Sequence, residues 1–388
     1  MYQYVCLPFG LSSAPRVFTK ILKPIVARLR AMGIRLIIYL DDFLIMASSP
    51  QEAISHLKVV IELLQFAGFL ISWEKSVLSP SQTLEFLGIN IDTRALTLSL
   101  PPIKVGSIIV LCNALLDQNQ VTLRDIARVL GHFSWSIATV PFAQGHSRLL
   151  QQFFIKSMHF SRDLSNRVSL SPEARLDLRW WVDHLRASNG KAILPSFPGL
   201  SISADASLQG WGAVCDSVTT RGSWPQKDRS RHINELELLA ALYALQSFTK
   251  ESYDIAVQLF LDNSTAVAYV NKCGGTHSRQ LSTIDAKIVE WCEFRKIELT
   301  ASHIPGVLNS VADAESRSIL DASDWMLLSE RFRDLQITWP MEIYLFAAAW
   351  NCQLPKYVSW IPQPNATAVN AFSLNWTRLK AYAFPHSL

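Results

Sequence analysis

The chain has 388 residues, of which 49% are hydrophobic and 18% are charged, and its formal net charge at pH 7 is +4. This length allows two or three domains, and the composition excludes a broadly disordered protein. The small excess of positive charge is compatible with a polyanionic partner but does not require one.

The cysteines and the N-terminal segment predict an intracellular protein. None of the six cysteines forms a CxxC pair, and no His/Cys cluster has the spacing of a zinc site. Residues 1–18 have no basic region and contain Pro8 and Pro15, unlike a signal peptide. The longest apolar run, 108–116, is too short to span a bilayer. We therefore expect a chain of the cytoplasm or the nucleus, neither secreted nor held in a membrane. The oligomeric state is not predicted.

The first quarter of the chain has the periodicities of two helices and two hairpins. The predicted elements are, in chain order, a helix at 12–31, a hairpin at 34–47, a helix at 52–67 and a hairpin or strand at 84–92. The adjacent acids Asp41 and Asp42 fall at the turn of the first hairpin. Because neighbouring carboxylates repel each other, this pair indicates either an exposed hairpin tip or a metal site.

The pattern is helical from about 100 to 190 and becomes α/β after residue 200. A connector rich in Pro and Gly at 194–200 predicts a domain boundary between the two parts. Beyond it, predicted strands first form a meander and then alternate with helices, which indicates a mixed sheet with helices on its faces. From about 320 the sequence has little periodicity. The predicted fold class is therefore α+β to α/β, with several domains.

Four acids in the α/β part fall where one sheet can bring them together. Asp205 and Asp262 end predicted strands, Glu237 lies on the first helix, and Asp313 opens the last one. Parallel strands that end in acids place carboxylates side by side, and four converging carboxylates suit two hard divalent cations. Such cations activate water and stabilise the leaving oxygen of a phosphodiester. Taken singly, each acid is explained more simply as a turn, cap or solvated residue.

Four blocks of this part carry a resemblance to a known family. They are ADASLQGWGAV, INELELLAALYAL, LFLDNSTAVAYVN and SHIPGVLNSVADAESR, in this order. The region resembles a retroelement-type ribonuclease H domain. The resemblance implies a fold of one sheet with helices, and hydrolysis of the RNA strand in an RNA–DNA hybrid. It also implies two Mg²⁺ ions, with Mn²⁺ as a substitute.

The same resemblance assigns roles to single residues. The family's metal-binding acids fall on Asp205, Glu237, Asp262 and Asp313, and its mobile histidine falls on His303. Glu235 and Glu237 lie about 200° apart around their helix, so only one can face the sheet. Glu237 is preferred because the family's acid directly precedes a Leu-x-Ala motif in that helix.

Recognition of the RNA strand requires contacts with its 2′-hydroxyl groups. Near the acids, Ser207, Asn234 and Asn263 are the predicted hybrid-binding residues. Lys272 and Arg279 are either phosphate contacts or solvated surface charges.

A second ordered set of blocks lies in the first 92 residues: LPFGLSSAPRVFTKIL, YLDD, WEKSVLS and LEFLGINID. This set resembles the palm of retrotransposon reverse transcriptases. The resemblance implies that Asp41 and Asp42 of YLDD bind metal ions. The family's nucleotide and primer residues fall on Phe9, Gly10, Tyr39, Lys75 and Gly88.

The palm departs from its family in one respect. The family has a further catalytic aspartate on a strand before LPFG, and residues 1–6 contain no acid. We therefore expect a truncated palm that does not polymerise DNA by itself. An alternative is a gene that extends upstream and restores the polymerase.

These readings divide the chain into four regions. They are a partial palm at 1–92, a helical thumb or connection region at 93–193, a ribonuclease H-like domain at 194–320 and an irregular tail at 321–388. The tail resembles the start of a methyltransferase-like region in DIRS-type retrotransposons. It lacks that family's acids near Tyr344 and Asn370 and its Pro-Pro-Phe near Pro385, so no methyl transfer is predicted.

The predicted protein is a DIRS-type retrotransposon fragment that hydrolyses RNA in hybrids. A non-catalytic nucleic-acid-binding remnant is the alternative.

Overall fold

The computed structural model describes residues 10–160, 162–318 and 326–384, so the predicted nucleotide-pocket residue Phe9 lies outside the described part. The chain forms two compact units. The first contains residues up to 106 together with 189–193, and the second contains 107–188 and the residues from 194 onward. In the part that the structure describes, no helix is both long and apolar enough to cross a membrane.

The described residues form eleven α-helices and seventeen strands. Up to residue 193 they are α1 (Ala14–Ala31), β1 (Arg35–Tyr39), β2 (Asp42–Met46), α2 (Pro50–Phe66), β3 (Thr83–Phe86), β4 (Ile89–Asp92), β5 (Thr97–Ser99), α3 (Pro102–Leu116), β6 (Val121–Thr122), α4 (Leu123–Ser136), α5 (Arg148–Phe160), β7 (Arg167–Val168), α6 (Pro172–His184) and β8 (Lys191–Ala192). After it they are β9 (Leu200–Ala206), β10 (Gly210–Cys215), β11 (Val218–Ser223), α7 (Ile233–Phe248), β12 (Ala256–Leu261), α8 (Ser264–Asn271), α9 (Arg279–Arg295), β13 (Glu298–His303), α10 (Ser310–Arg317), α11 (Ser329–Thr338), β14 (Ile343–Tyr344), β15 (Lys356–Ser359), β16 (Ala368–Val369) and β17 (Ala381–Tyr382).

In the first unit, α1 and α2 pack with the hairpin of β1 and β2. Leu22, Val26 and Leu29 recur on one face of α1 and are buried with Leu36 of β1 and Val60 of α2. This spacing of three and four residues gives a helix one apolar face. The predicted helices and the predicted hairpin are therefore confirmed to within two residues at the helix ends.

A second, antiparallel sheet of the first unit has the strand order β3-β4-β5-β8. Leu87 and Gly88 form the turn between β3 and β4, with φ angles of 51° and 75°. Two successive positive φ angles are typical of a type I′ hairpin turn, which glycine adopts without strain. The hairpin predicted at 84–92 is thus confirmed.

The second unit joins the helices α4 to α6 to the sheet that follows them. The Trp180 indole donates a hydrogen bond to Glu293 of α9 at 2.9 Å, and His146 contacts the other oxygen of that carboxylate at 2.7 Å. Phe133 and Trp181 stack with ring centroids 4.1 Å apart. The helical character predicted for 100–190 is confirmed, while its separation as a thumb or connection region stays a prediction.

A five-stranded mixed sheet forms the centre of this unit, with the order β11-β10-β9-β12-β13. β9, β10 and β11 are antiparallel neighbours, and β12 pairs in parallel with both β9 and β13. Buried apolar residues of α7 and α9 pack with residues of these strands in one core. The predicted fold class, a multidomain mixture of helices and mixed sheets, is confirmed.

Gly212 allows α10 to lie directly against β10. A Cβ atom at Gly212 would lie 2.4 Å from the backbone oxygen of Ala312 and 2.5 Å from the backbone nitrogen of Ser316. Both distances are far below van der Waals contact, so any side chain here would displace the helix. The glycine therefore sets the position of the two polar residues of α10 discussed below, Asp313 and Ser316.

The residues from 326 onward are more regular than the sequence predicts. They form α11 and four short strands in a parallel sheet with the order β16-β15-β14-β17. Strands of two to four residues are too short to produce a recognisable period, which is why their sequence shows none. The Thr220 hydroxyl donates to the backbone oxygen of Pro362, and the Lys250 ammonium donates to that of Ala366.

Candidate metal centre

Three carboxylates converge at one edge of the five-stranded sheet. Asp205 lies at the end of β9, Asp262 directly follows the parallel neighbour β12, and Glu237 lies one turn into α7. The register that pairs Phe260 with Ser203 brings Asp262 level with Asp205. One ligand atom from each of the three acids lies within 4.8 Å of those of the other two. The sequence prediction of a shared carboxylate edge therefore agrees with this geometry for three of its four acids.

The cluster is largely removed from water. Asp205 is 3% exposed and Glu237 is 5% exposed. Burial, reinforced by the charges of Asp205 and Asp262, raises the pKa of Glu237 to about 9. Burial is also the main cause that raises the pKa of Asp205 to about 6, and the charges of Asp262 and Asp313 add to it. The ionised cluster is therefore unstable without a compensating positive charge.

One oxygen of the cluster has no protein partner. Oε2 of Glu237 is buried and accepts no hydrogen bond among the described residues. A buried carboxylate oxygen without a partner is costly, and hard divalent cations bind such oxygens. The donor set consists of carboxylates alone, which suits Mg²⁺ or Mn²⁺ better than softer metals. These residues therefore fit the cation that the sequence predicts.

Ser316 orients one of the three acids and was missed by the sequence analysis. Its hydroxyl lies 2.7 Å from Oδ2 of Asp205, to which it donates, and its backbone oxygen accepts from Ser207 at 2.6 Å. Ser316 is 1% exposed. It follows Asp313 by three positions on the same helix, so it lies on a neighbouring part of one helix face. This spacing is the only signal in the sequence for its position.

Asp313 is not a member of the three-acid group. Its carboxylate binds the Arg317 guanidinium at 2.6 and 2.9 Å. Its charge nevertheless contributes to the raised pKa of Asp205. Because both side chains are substantially exposed, the ion pair contributes little to the free energy of folding and can break readily. A metal-binding role for Asp313 stays a prediction.

Glu235 and His303 lie at the border of the cluster. The Glu235 carboxylate binds Arg231 at 2.8 Å, so of the two glutamates on this helix Glu237 is the one that joins the acids. His303 is exposed at the end of β13 and is paired with Leu261, the residue before Asp262. The backbone that follows passes close by, since a Cβ atom at Gly306 would lie 3.3 Å from Oδ2 of Asp262.

The three predicted hybrid-binding residues differ in their surroundings. The Asn263 amide donates to the Asn234 side chain at 2.9 Å, and its oxygen caps the start of α8. Both asparagines are partly exposed. Ser207 is buried, and its hydroxyl holds the turn that leads to Gly210. Contacts of these residues with a nucleic acid stay predictions, and the position of Ser207 does not favour one.

The acidic pair of the first unit lies at an exposed hairpin turn. Tyr39 pairs with Asp42 across β1 and β2, which leaves Leu40 and Asp41 as the turn. Leu40 has a φ of 53°, a left-handed conformation that strains a residue other than glycine. Within the described ranges, only the group of Asp205 brings three metal-ligating side chains together.

The other predicted polymerase residues are exposed or lie in turns. Lys75 is exposed at the end of a short 3-10 helix, Trp73–Lys75. Gly10 has a φ of 90° and Gly88 a φ of 75°. Tyr39 is 58% exposed. Their polymerase roles stay predictions.

A separate buried acid, Asp285 of α9, was not singled out from the sequence. It is 1% exposed, and neither of its carboxylate oxygens accepts a hydrogen bond among the described residues. Burial raises the pKa of Asp285 to about 8, against an opposing effect of the Arg148 charge. The folded chain therefore holds a proton here that the unfolded chain releases.

We expect Asp285→Asn to stabilise the chain, and to do so more at pH 9 than at pH 5. Because the pKa of this acid is higher in the folded state, wild-type stability falls as the pH rises from about 4 to about 8. Asparagine has the shape of the neutral acid and no proton to lose. Thermal melts at both pH values should show the difference between variant and wild type growing by more than about 1 kcal/mol. An unchanged difference would contradict the prediction.

Both units are similar in sequence to known proteins. Residues 1–91 match the family model described as reverse transcriptase (RNA-dependent DNA polymerase). The enzymatic polyprotein of Figwort mosaic virus is 23% identical over 339 residues, which cover 81% of this chain and 46% of that polyprotein. The Gag-Pro-Pol polyprotein of Human T-cell leukemia virus 2 is 25% identical over 58% of this chain and 14% of its own length. The chain thus spans less than half of these relatives.

Two solved structures are similar at low sequence identity. The foamy viral protease-reverse transcriptase in complex with an RNA/DNA hybrid is 17% identical, with a TM-score of 0.42 over 84% of this chain and 42% of that chain. RNase H1 from Halobacterium salinarum is 16% identical, with a TM-score of 0.26 over 30% of this chain and 92% of that chain. Residues 1–91 are therefore similar to reverse transcriptases, and most of the chain is similar to viral and retroelement polyproteins.

Proposed function

We propose that this chain is part of a DIRS-type retroelement polyprotein and hydrolyses the RNA strand of RNA–DNA hybrids with Mg²⁺. The observation that carries the proposal is the convergence of Asp205, Glu237 and Asp262, with the unpartnered oxygen of Glu237 buried among them. The order of the ribonuclease H-like sequence blocks supports the reaction, and the resemblance of the tail supports the DIRS type. We place the protein in the cytoplasm or the nucleus.

The residues of the cluster have different roles in binding the cations and the substrate. Bound Mg²⁺ ions supply an activated water and neutralise charge on the phosphodiester. Asp205 and Asp262 present oxygens from two fixed strand ends, and the Ser316 hydroxyl holds the Asp205 carboxylate in one orientation. Asp313 completes the set once it leaves Arg317. Cleavage leaves a 5′-phosphate and a 3′-hydroxyl.

The substrate proposal rests on the surface around these acids. Asn234 and Asn263 are partly exposed and linked to each other, and Asn263 directly follows Asp262 in the sequence. We propose that their amide groups contact sugar hydroxyls beside the scissile phosphate. His303, exposed on the adjacent strand end, is proposed to assist release of the product.

We do not expect the 388-residue chain to extend a primer by itself. The carboxylates of Asp41 and Asp42 are exposed, and among the described residues no third metal-ligating side chain joins them. Two cations in a polymerase site need more ligands than this pair offers. A chain that binds nucleic acid without any cleavage is the second candidate function, and the following experiment separates the two.

The test is incubation of the wild-type chain with a labelled RNA–DNA hybrid and Mg²⁺. We expect internal cleavage of the RNA that EDTA abolishes and that Asp262→Asn lowers at least about a hundredfold, because a lost metal ligand removes several kcal/mol of stabilisation. Asp216→Asn is the matched control, since Asp216 is exposed in a turn with a φ of 53°, which asparagine tolerates. Hybrid binding without cleavage by the folded wild type would exclude the nuclease and favour the second candidate.

A further inference from the structure

The C-terminal sheet region has an unusual surface composition. Residues 343–384 contain no Asp or Glu, while Lys356, Arg378 and Lys380 are basic. Large aromatic side chains are exposed in the same region, among them Phe372 at 69% and Trp376 at 42%. Glu342, which directly precedes this range, is exposed and bonded through its backbone to Lys380. Exposed rings beside cations are typical of surfaces that bind nucleic acids.

Three of the aromatic residues form one patch. The ring of Phe346 lies 5.3 Å from that of Phe372 and 6.0 Å from that of Trp376, measured between centroids. Phe372 and Trp376 stack on each other, with centroids 6.0 Å apart and an angle of 26° between their planes. The Trp376 indole donates a hydrogen bond to the backbone oxygen of Ala371 at 2.7 Å, which fixes the ring. Phe346, Phe372 and Trp376 are called the aromatic patch below.

The chain that leaves the patch carries the cations. Residues 375–380 are all exposed, and they include Trp376, Arg378 and Lys380; Arg378 lies in a turn with a φ of 67°. The backbone here is anchored, because the Glu342 backbone nitrogen donates to Lys380 at 2.7 Å and the Leu345 nitrogen donates to Tyr382 at 2.9 Å.

We propose that the aromatic patch, together with Arg378 and Lys380, binds single-stranded nucleic acid. Bases of a single strand are free to stack on Phe372 and Trp376, whereas those of a duplex are already stacked inside it. The phosphates of the strand would meet the two cations. This site uses none of the carboxylates of the metal centre, so it stands apart from hybrid cleavage.

The test measures fluorescence anisotropy of labelled 20-nucleotide poly-dT and poly-U, with a blunt DNA duplex as competitor. We expect the full chain to bind both single strands and to be competed poorly by the duplex. Phe372→Ala with Trp376→Ala should weaken binding at least about tenfold, since each stacked base contributes 1 kcal/mol or more. Phe160→Ala, a substitution of a highly exposed ring on α5, is the matched control and should have no effect.

A second variant keeps the proposal testable if the rings also affect folding. Arg378→Gln with Lys380→Gln should lower the slope of log affinity against log salt by roughly 1.4, the value for two phosphate contacts of a single strand. Asp216→Asn, a substitution of an exposed turn residue, should leave single-strand binding unchanged. Unaltered oligonucleotide binding in both double variants would overturn the proposal. The proposal would also be overturned if these variants kept their oligonucleotide binding but no longer formed a dimer or no longer bound phospholipid vesicles. The patch would then bind a second chain or a membrane surface.

Discussion

Glu237→Gln should lower the rate of hybrid cleavage by roughly 10²- to 10⁴-fold, whereas Glu235→Gln should change it less than about threefold. The two glutamates lie two positions apart on α7 but have opposite surroundings. Glu237 is 5% exposed, and its Oε2 has no protein partner within the described residues. The Glu235 side chain is 16% exposed and instead binds Arg231, which also binds the buried Asp228. Loss of one carboxylate ligand removes charge stabilisation worth several kcal/mol. Glu235→Gln removes a part-buried ion pair that lies outside the three-acid group, so its effect falls on stability rather than on cleavage.

The pair of glutamine variants separates chemistry from folding. Both substitutions remove one charge from the same helix turn and keep nearly the same side-chain volume. Single-turnover cleavage of a labelled hybrid, with the melting temperature of each variant measured beside it, gives the comparison. Equal losses in the two variants, or a larger loss in Glu235→Gln, would refute the assignment of Glu237 to the metal centre.

The positions of the acids were predictable from the sequence because they depend on backbone register. Asp205 and Asp262 end neighbouring strands, and parallel pairing of those strands brings both to one edge. Helical periodicity predicted that only one of Glu235 and Glu237 can face the sheet, and the choice of Glu237 came from the resemblance to the ribonuclease H family. Local period and strand order thus account for Asp205 and Asp262, and the resemblance accounts for Glu237.

Other features of the site depend on contacts that no local pattern contains. The hydrogen bond from Ser316 to Asp205 joins residues 111 positions apart, and it exists only because Gly212 lets α10 approach β10. The ion pair of Asp313 with Arg317, in contrast, has the spacing of four residues that favours helix pairs. That pairing was readable in the sequence, and it explains why Asp313 lies apart from the other three acids.

In the motif YLDD, the secondary structure was predictable from the sequence but the backbone conformation of the turn was not. Its hairpin was predictable from two β-branched and aromatic runs, but the strained φ of 53° at Leu40 was not. Leucine rarely occupies a left-handed position, so nothing in the sequence indicates it. The tail shows a further limit, because its parallel sheet is assembled from strands of two to four residues whose order depends on tertiary packing.

Mg²⁺ or Mn²⁺ should raise the melting temperature of the chain, and the increase should grow between pH 5 and pH 9. The pKa of Asp205 is raised to about 6 and that of Glu237 to about 9, both above their values in an unfolded chain. The contribution of these two groups to the stability of the metal-free fold is therefore fully present below about pH 4 and is lost as the pH rises through these values. A cation needs the ionised carboxylates, so it binds best where this contribution has been lost.

Glu237→Gln tests the same point without any measurement of activity. A cation present at a hundred times its Kd contributes about 2.7 kcal/mol, which corresponds to roughly 5 °C or more in a unit of this size. In the variant we expect a higher melting temperature than wild type at pH 9 without metal, because a buried charge is gone. We also expect most of the metal-induced increase to disappear. Glu235→Gln should keep the full increase. A wild-type melting temperature that metal leaves unchanged at pH 9 would show that the three carboxylates do not form a cation site.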